Sequence, residues 1–223
     1  MDRPIVTIPR TILREVKHDW FVDWRGQFTG TTLAGQTKVV YPGYARWKGT
    51  VNLFLSQGDY LKWRAIMLVA QGHIGIYRTP MSDPLSFERS KPTVNMTTGK
   101  GMTTGKFLES TETVLAASAA ALGATSLSVD IPTGGRVPVQ GQLMSHGLDW
   151  PFGVISADPD ETVADRYTLE VSPPLRAAVA AGDEVKHEAI GRFEIADRDF
   201  GFPQYDANNA GTFSIAFQEV LTR

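Results

Sequence analysis

SQGDYLKWRAIMLVAQGHIGIYRTPMSDP, residues 56–84, reads as one helix feeding directly into one strand. Ser56 is a favoured N-cap, and Asp59 three residues on completes an S-x-x-D start signal. Neither Pro nor Gly interrupts residues 59–71, and Gly72 is placed to supply the left-handed residue that stops the helix. Residues 73–79 then read as a strand, with Ile74 and Ile76 on one face and Tyr77 and Thr79 on the other, until Pro80 ends it. At about 100° per residue the helix carries two apolar faces. Leu61, Ala65, Leu68 and Val69 form the first; Tyr60, Trp63, Met67 and Ala70 form the second. Asp59 and Lys62 fill the seam on one side, Arg64 and Gln71 the seam on the other. A surface helix needs only one buried face. Either this one lies between two layers of its own chain, or one face meets the home sheet and the other a neighbouring subunit.

Upstream, residues 39–55 give the clearest strand of the N-terminal half. Trp47, Val51, Leu53 and Leu55 alternate with Arg46, Lys48, Thr50 and Asn52, so one face is buried and one is wet. Residues 1–17 read as an extended arm: Pro4 and Pro9 oppose helix, and the run from Ile5 to Ile8 is β-prone. Such an arm either pairs within the fold or reaches onto a partner. Trp20, Phe21, Trp24 and Phe28 form a dense aromatic group suited to a core or an interface. Residues 29–36 are rich in Gly and Thr and read as a loop or hairpin tip.

Downstream, Met-Thr-Thr-Gly-Lys occurs at 96–100 and again at 102–106. A phosphate loop would need a Gly five residues before the Gly of Gly-Lys and a Ser or Thr after the Lys. Neither copy has both, so the segment reads as an exposed polar loop or hairpin where partners can touch. Near residue 113 the composition changes to the Ala-rich VLAASAAALGA, followed by short β segments at 126–131, 141–145, 153–156, 167–171 and 184–187. Turn residues punctuate them, the signature of a small antiparallel barrel or sandwich. Residues 173–181 could form a single helical turn. The aromatic, alternating style of the first half returns after His187 and closes with a strand at 211–221, in which Phe213, Ile215 and Phe217 face inward. The chain therefore reads as nested: residues 1–112 plus 188–223 make one discontinuous domain, and residues 113–187 are inserted into it. The expected class is mainly β, a β-sandwich core with one packed helix and an inserted small, OB-like barrel. Residues 211–221 must then pair with strands of the first half.

The totals exclude several functions. The 223 residues carry 22 Lys and Arg against 24 Asp and Glu, mixed along the chain, without the clustered basic footprint of a nucleic-acid binder. There is no cysteine, which removes disulfides, thiolate metal sites and thiol nucleophiles. The N-terminus lacks a long apolar run, so neither a signal peptide nor membrane insertion is expected. His18, His73, His146 and His187 stand apart from partners at metal-ligand spacing. The carboxylates at Asp158, Asp160 and Glu161, and at Asp197 and Asp199, sit in turn-like sequence, where Asp makes local hydrogen bonds. No nucleophile elbow is present. Catalytic, cofactor and metal sites are all expected to be absent.

Four stretches together resemble a known family. LGATSLSVD and YTLEVSPPLRAAVAAGDEV in the insert look like the small β module of many tailed-phage minor tail proteins. DYLKWRAIMLVAQGHIGIYRTPMSDP resembles the helix-and-strand unit of phage distal tail proteins, and GTFSIAFQEVL is similar to that family's closing strand. The resemblance implies a virion protein of a long-tailed phage (a siphovirus), made in the bacterial host cytoplasm and built into the tail tip. It implies a homohexameric ring joining the tail tube protein to hub or fibre proteins, with DNA passing through the lumen unbound. Catalytic residues are not part of that family's pattern. Subunit contacts are expected at Ile5 and Ile8 on the arm, Trp63 and Met67 on the second helix face, and Met96 and Met102 on the repeat loop. The alternative is an adhesion module in which Trp150, Phe152 and Tyr167 of the insert present flat faces to host-surface glycans.

Overall fold

The computed structural model describes residues 3–13, 15–31, 37–40, 45–81, 113–132, 135–197 and 211–222. In chain order its first elements are β1 (Ile5–Thr7), β2 (Glu15–Asp23), β3 (Gln27–Thr31), β4 (Thr37–Val40), β5 (Arg46–Leu55), α1 (Gln57–Ala70) and β6 (Ile76–Pro80). Then come β7 (Thr113–Ala116), β8 (Ser126–Asp130), β9 (Leu143–His146), β10 (Trp150–Pro159), β11 (Arg166–Ser172), β12 (Glu184–Lys186), β13 (Ile190–Ile195) and β14 (Gly211–Glu219). The protein is mainly β, with α1 its one α-helix among the described residues. It divides into two compact units, Met1–Thr79 with Arg192–Arg223, and Pro80–Gly191. The second unit starts before the Ala-rich stretch and ends after His187, because Met81 N–H donates to Ala189 C=O at 2.7 Å.

The first unit is a sandwich-like arrangement around a six-stranded sheet of order β1-β6-β13-β14-β5-β2, with β3 and β4 forming a separate two-stranded sheet. The long-range pairing required by the sequence is present: β14 runs antiparallel to β5, from Gly211 opposite Leu55 to Gln218 opposite Lys48. On β5 the alternation holds, with Trp47, Val51, Leu53 and Leu55 buried. The inner face is paved with rings. Trp20 lies 4.9 Å from Phe193 and 6.3 Å from Phe217, and Tyr77 lies 6.2 Å from Phe217. Such ring pairs add about 0.5–1.5 kcal/mol beyond their buried area.

Helix α1 packs against β1 and β5. Its start follows the sequence signal with altered roles. Tyr60 N–H donates to Ser56 C=O at 2.8 Å, while the Ser56 hydroxyl donates to Asp59 at 2.8 Å instead of capping the backbone. Its end falls one residue before Gly72: Gln71 takes the left-handed conformation, φ 55°, and its N–H reaches back to Met67 and Leu68. A 3-10 turn, Gly72–Ile74, then delays the strand to Ile76. Ile74 is consequently exposed, whereas Ile76, Tyr77 and Thr79 are all buried, because β6 lies inside the sheet between β1 and β13.

The Tyr77 hydroxyl ties helix end to strand. It donates to Gly72 C=O at 2.5 Å and lies 3.2 Å from Met67 Sδ. Burial pushes its pKa up to about 12 from the ordinary 10.0. A phenol whose folded pKa is raised contributes stability that is intact below the unfolded value of about 10 and lost as pH climbs toward the folded one. Tyr77→Phe is expected to cost about 1 kcal/mol at neutral pH and to flatten the stability profile between pH 10 and 12, as read by urea unfolding across that range.

The second unit holds a closed antiparallel barrel of order β10-β11-β8-β7-β12-β9, with β9 pairing back to β10. It has six strands, one more than an OB barrel. Its core is Val114, Ala116, Leu127, Val129, Met144, Phe152, Val154, Leu169, Val171, Leu175, Val179 and Val185. The closing strand β7 lies within the stretch that reads as Ala-rich, its Val114 and Ala116 pointing inward. Residues 173–181 form no helical turn; Ala120 and Val179 instead make an isolated antiparallel bridge. On the wall, Arg166 grips Asp130 through two bonds of 2.7 and 3.0 Å, and that grip holds the Asp130 carboxyl below the usual carboxylate range.

Candidate assembly surface

The face that α1 buries is the one the sequence offered to a neighbour. Trp63 is 0% exposed, and Tyr60, Met67 and Ala70 are buried beside it. The Trp63 ring lies 5.5 Å from that of Phe213. Trp63 and Met67 are therefore core of their own chain, a correction to their assignment as subunit contacts. The sheet's inner surface is made of large rings, and the bulkier helix face fills the space above them. The other face points outward: Leu61 is 59%, Leu68 66% and Val69 63% exposed, with Ala65 exposed between them. The buried face is the bulkier of the two, Tyr60, Trp63 and Met67 against Leu61, Leu68 and Val69.

The arm splits in the same way. Ile5 is 52% exposed on β1, at one end of the sheet. Ile8 is buried, its N–H donating to Arg78 C=O at 2.9 Å, and so is unavailable to a partner. Arg3 rivets the arm down: Nε donates to Ile74 C=O at 2.7 Å, one terminal nitrogen to Gly75 C=O at 3.3 Å, and the other pairs with Glu194 at 2.9 Å. Beside this rivet a cleft of about 560 Å³ is lined by Arg3, His73, Ile74, Glu194, Ile195, Ala196 and Gln218. Exposed Ile74 gives its rim an apolar element.

At the other end of the sheet β2 presents Lys17, Asp19 and Phe21 to solvent. Charged side chains on an edge strand limit indiscriminate pairing. At the strand's last residue, Asp23 accepts from Arg25 N–H at 3.0 Å and pairs with Lys48 at 2.8 Å, and the Lys48 bond foremost holds its carboxyl below the ordinary range. Trp24 stands half exposed between them in the chain.

Met96 and Met102 lie outside the described residues. Of the three aromatics assigned to glycan, Trp150 and Phe152 are buried within the barrel unit and offer no flat face to a sugar. Tyr167 is half-buried, packed on the barrel core and paired across to Val129. The alternating inward positions of short barrel strands claim these rings first. Among the described residues no three of His, Asp and Glu gather to hold a metal ion, and no helix is long and apolar enough to cross a membrane.

The geometry thus defines a mainly β, two-unit protein in which exposed apolar side chains group on the outer face of α1, with Ile5 and Phe21 exposed on the end strands β1 and β2. Comparison with protein-family models finds no match, and a search of curated proteins finds none either.

Proposed function

We propose that this chain is a structural virion protein, the subunit of a homohexameric ring at the distal end of a phage tail tube. The ring joins the tube protein above to hub or fibre proteins below and lets DNA pass through its lumen. The observation that carries this reading is the outward apolar face of α1, Leu61, Leu68 and Val69, on the unit that also bears exposed Ile5 and Ile74. Large apolar side chains grouped on one element of a folded domain mark a surface meant to be covered. A rigid sheet behind the helix suits a contact that repeats around a ring, because repeated heterologous contacts need fixed geometry to close. The barrel is inserted in the chain between β6 and β13, neighbours in the sheet, and leaves that sheet continuous.

The test is a pair of surface substitutions. Leu68→Glu and Val69→Lys should each leave stability within about 0.5 kcal/mol of the parent, since neither side chain is part of the core. Both should shift the chain from ring to monomer in light scattering at micromolar concentration. Unchanged mass in both variants would remove α1 from the assembly contact.

A further inference from the structure

The barrel has two thin seams, β7 with β8 and β9 with β12. β9 and β12 share only two residue pairs, Val185 with His146 and Lys186 with Ser145. Beyond Lys186, side chains take over from the ladder. The Ser145 hydroxyl donates to Glu188 C=O at 3.1 Å and accepts from Ile190 N–H at 3.1 Å. The Gln142 amide spans to His187 in two places: its nitrogen lies 3.0 Å from His187 C=O and 3.0 Å from His187 Nδ1. Its oxygen accepts from Val139 N–H at 3.2 Å. Gln142 is 0% and His187 3% exposed.

Two backbone groups fix which way the amide points. Val139 N–H can only donate, so the oxygen must face it; His187 C=O can only accept, so the nitrogen must face it. The same NH2 group then confronts Nδ1, which must be a bare acceptor. The seam therefore holds His187 as the neutral imidazole with its proton on Nε2. A proton on Nδ1 would set donor against donor, and turning the amide over would break both backbone bonds.

We propose that the Gln142–His187 contact is a proton-sensitive latch on the barrel: the seam is shut while His187 is neutral and loosens as acid forces a proton onto Nδ1. The other ionisable groups on the segments that build the seam are His146 and Asp149 on the β9–β10 hairpin, Arg136 near Val139, exposed Glu184 at the start of β12, and Lys186 and Glu188 flanking His187. Lys186 pairs with Asp149 at 3.5 Å, and Arg136 is exposed.

The sign follows from linkage. A histidine held neutral when folded and free to take a proton when unfolded contributes stability that is present above its unfolded pKa, about 6.5, and lost as pH falls below it. One such group raises the opening constant about 30-fold between pH 7.5 and 5.0.

Hydrogen exchange of the full chain, corrected for intrinsic rates, reads this directly. Protection over residues 184–190 should fall by about that factor in the parent and far less in His187→Asn, whose carboxamide oxygen can still accept from Gln142. Imidazole nitrogen shifts of the parent, with exposed His73 as reference, should report His187 as the neutral Nε2–H tautomer down to the pH at which protection is lost. A His187→Asn chain that loses protection by the same factor overturns the latch, since the proton then acts elsewhere, at His146 or a carboxylate. A His187 ring that takes its proton in the closed barrel without loss of protection overturns it as well, and needs no variant to show it.

Discussion

Trp63→Ala is expected to cost about 3–5 kcal/mol and to lower the unfolding midpoint of the first unit by on the order of 15 °C. The indole is fully buried, and its ring neighbour, Phe213, belongs to β14. Truncation leaves a cavity between α1 and the sheet that neither can collapse to fill, because β14 is held along its length by β5 and the helix is pinned at its end by Tyr77. Urea unfolding with circular dichroism measures the loss. A Trp63→Ala chain as stable as the parent but defective in assembly would return Trp63 to the subunit contact.

The second large effect is expected at Gly49. This residue sits in the middle of β5, opposite Trp20 on one side and Phe217 on the other. The Trp20 ring lies flat across it, so a Cβ there would fall among the indole carbons, 2.6 Å from Cδ2. The absent side chain is what lets Trp20 lie near-parallel to Phe217 at 16°. Laying an aromatic over a strand glycine is a recognised way of covering exposed backbone. Gly49→Ala should cost about 1–3 kcal/mol as overpacking, and Gly49→Val should exceed that and displace Trp20. Tryptophan fluorescence with thermal melts reports both. A Gly49→Val protein that melts with the parent would mean that Trp20 has another place to go.

These two sites show what the sequence made legible. The alternation of Trp47, Val51, Leu53 and Leu55 specified β5, and Phe213, Ile215 and Phe217 specified its partner, because a two-residue period admits one buried face. The helix was equally legible in extent, since its start and stop signals are local. Which of its two apolar faces turns inward was not, because that depends on the surface it meets. The rings of Phe213 and Tyr77 choose Trp63 and Met67, and Phe213 comes from β14, far away in the chain. β7 was hidden for a different reason: inward Val114 and Ala116 are small and stand among alanines, so the alternation lacks amplitude. The latch at Gln142 and His187 gave no signal at all, for a spacing of 45 residues becomes a contact only when the barrel closes.

The proposed ring requires that the chain assemble with copies of itself. Light scattering on the purified chain, across a hundredfold range of concentration, tests it most directly. The expected result is a particle of six copies of the 24.4 kDa chain, seen as a ring in negative stain. A single-chain mass at every concentration would contradict it.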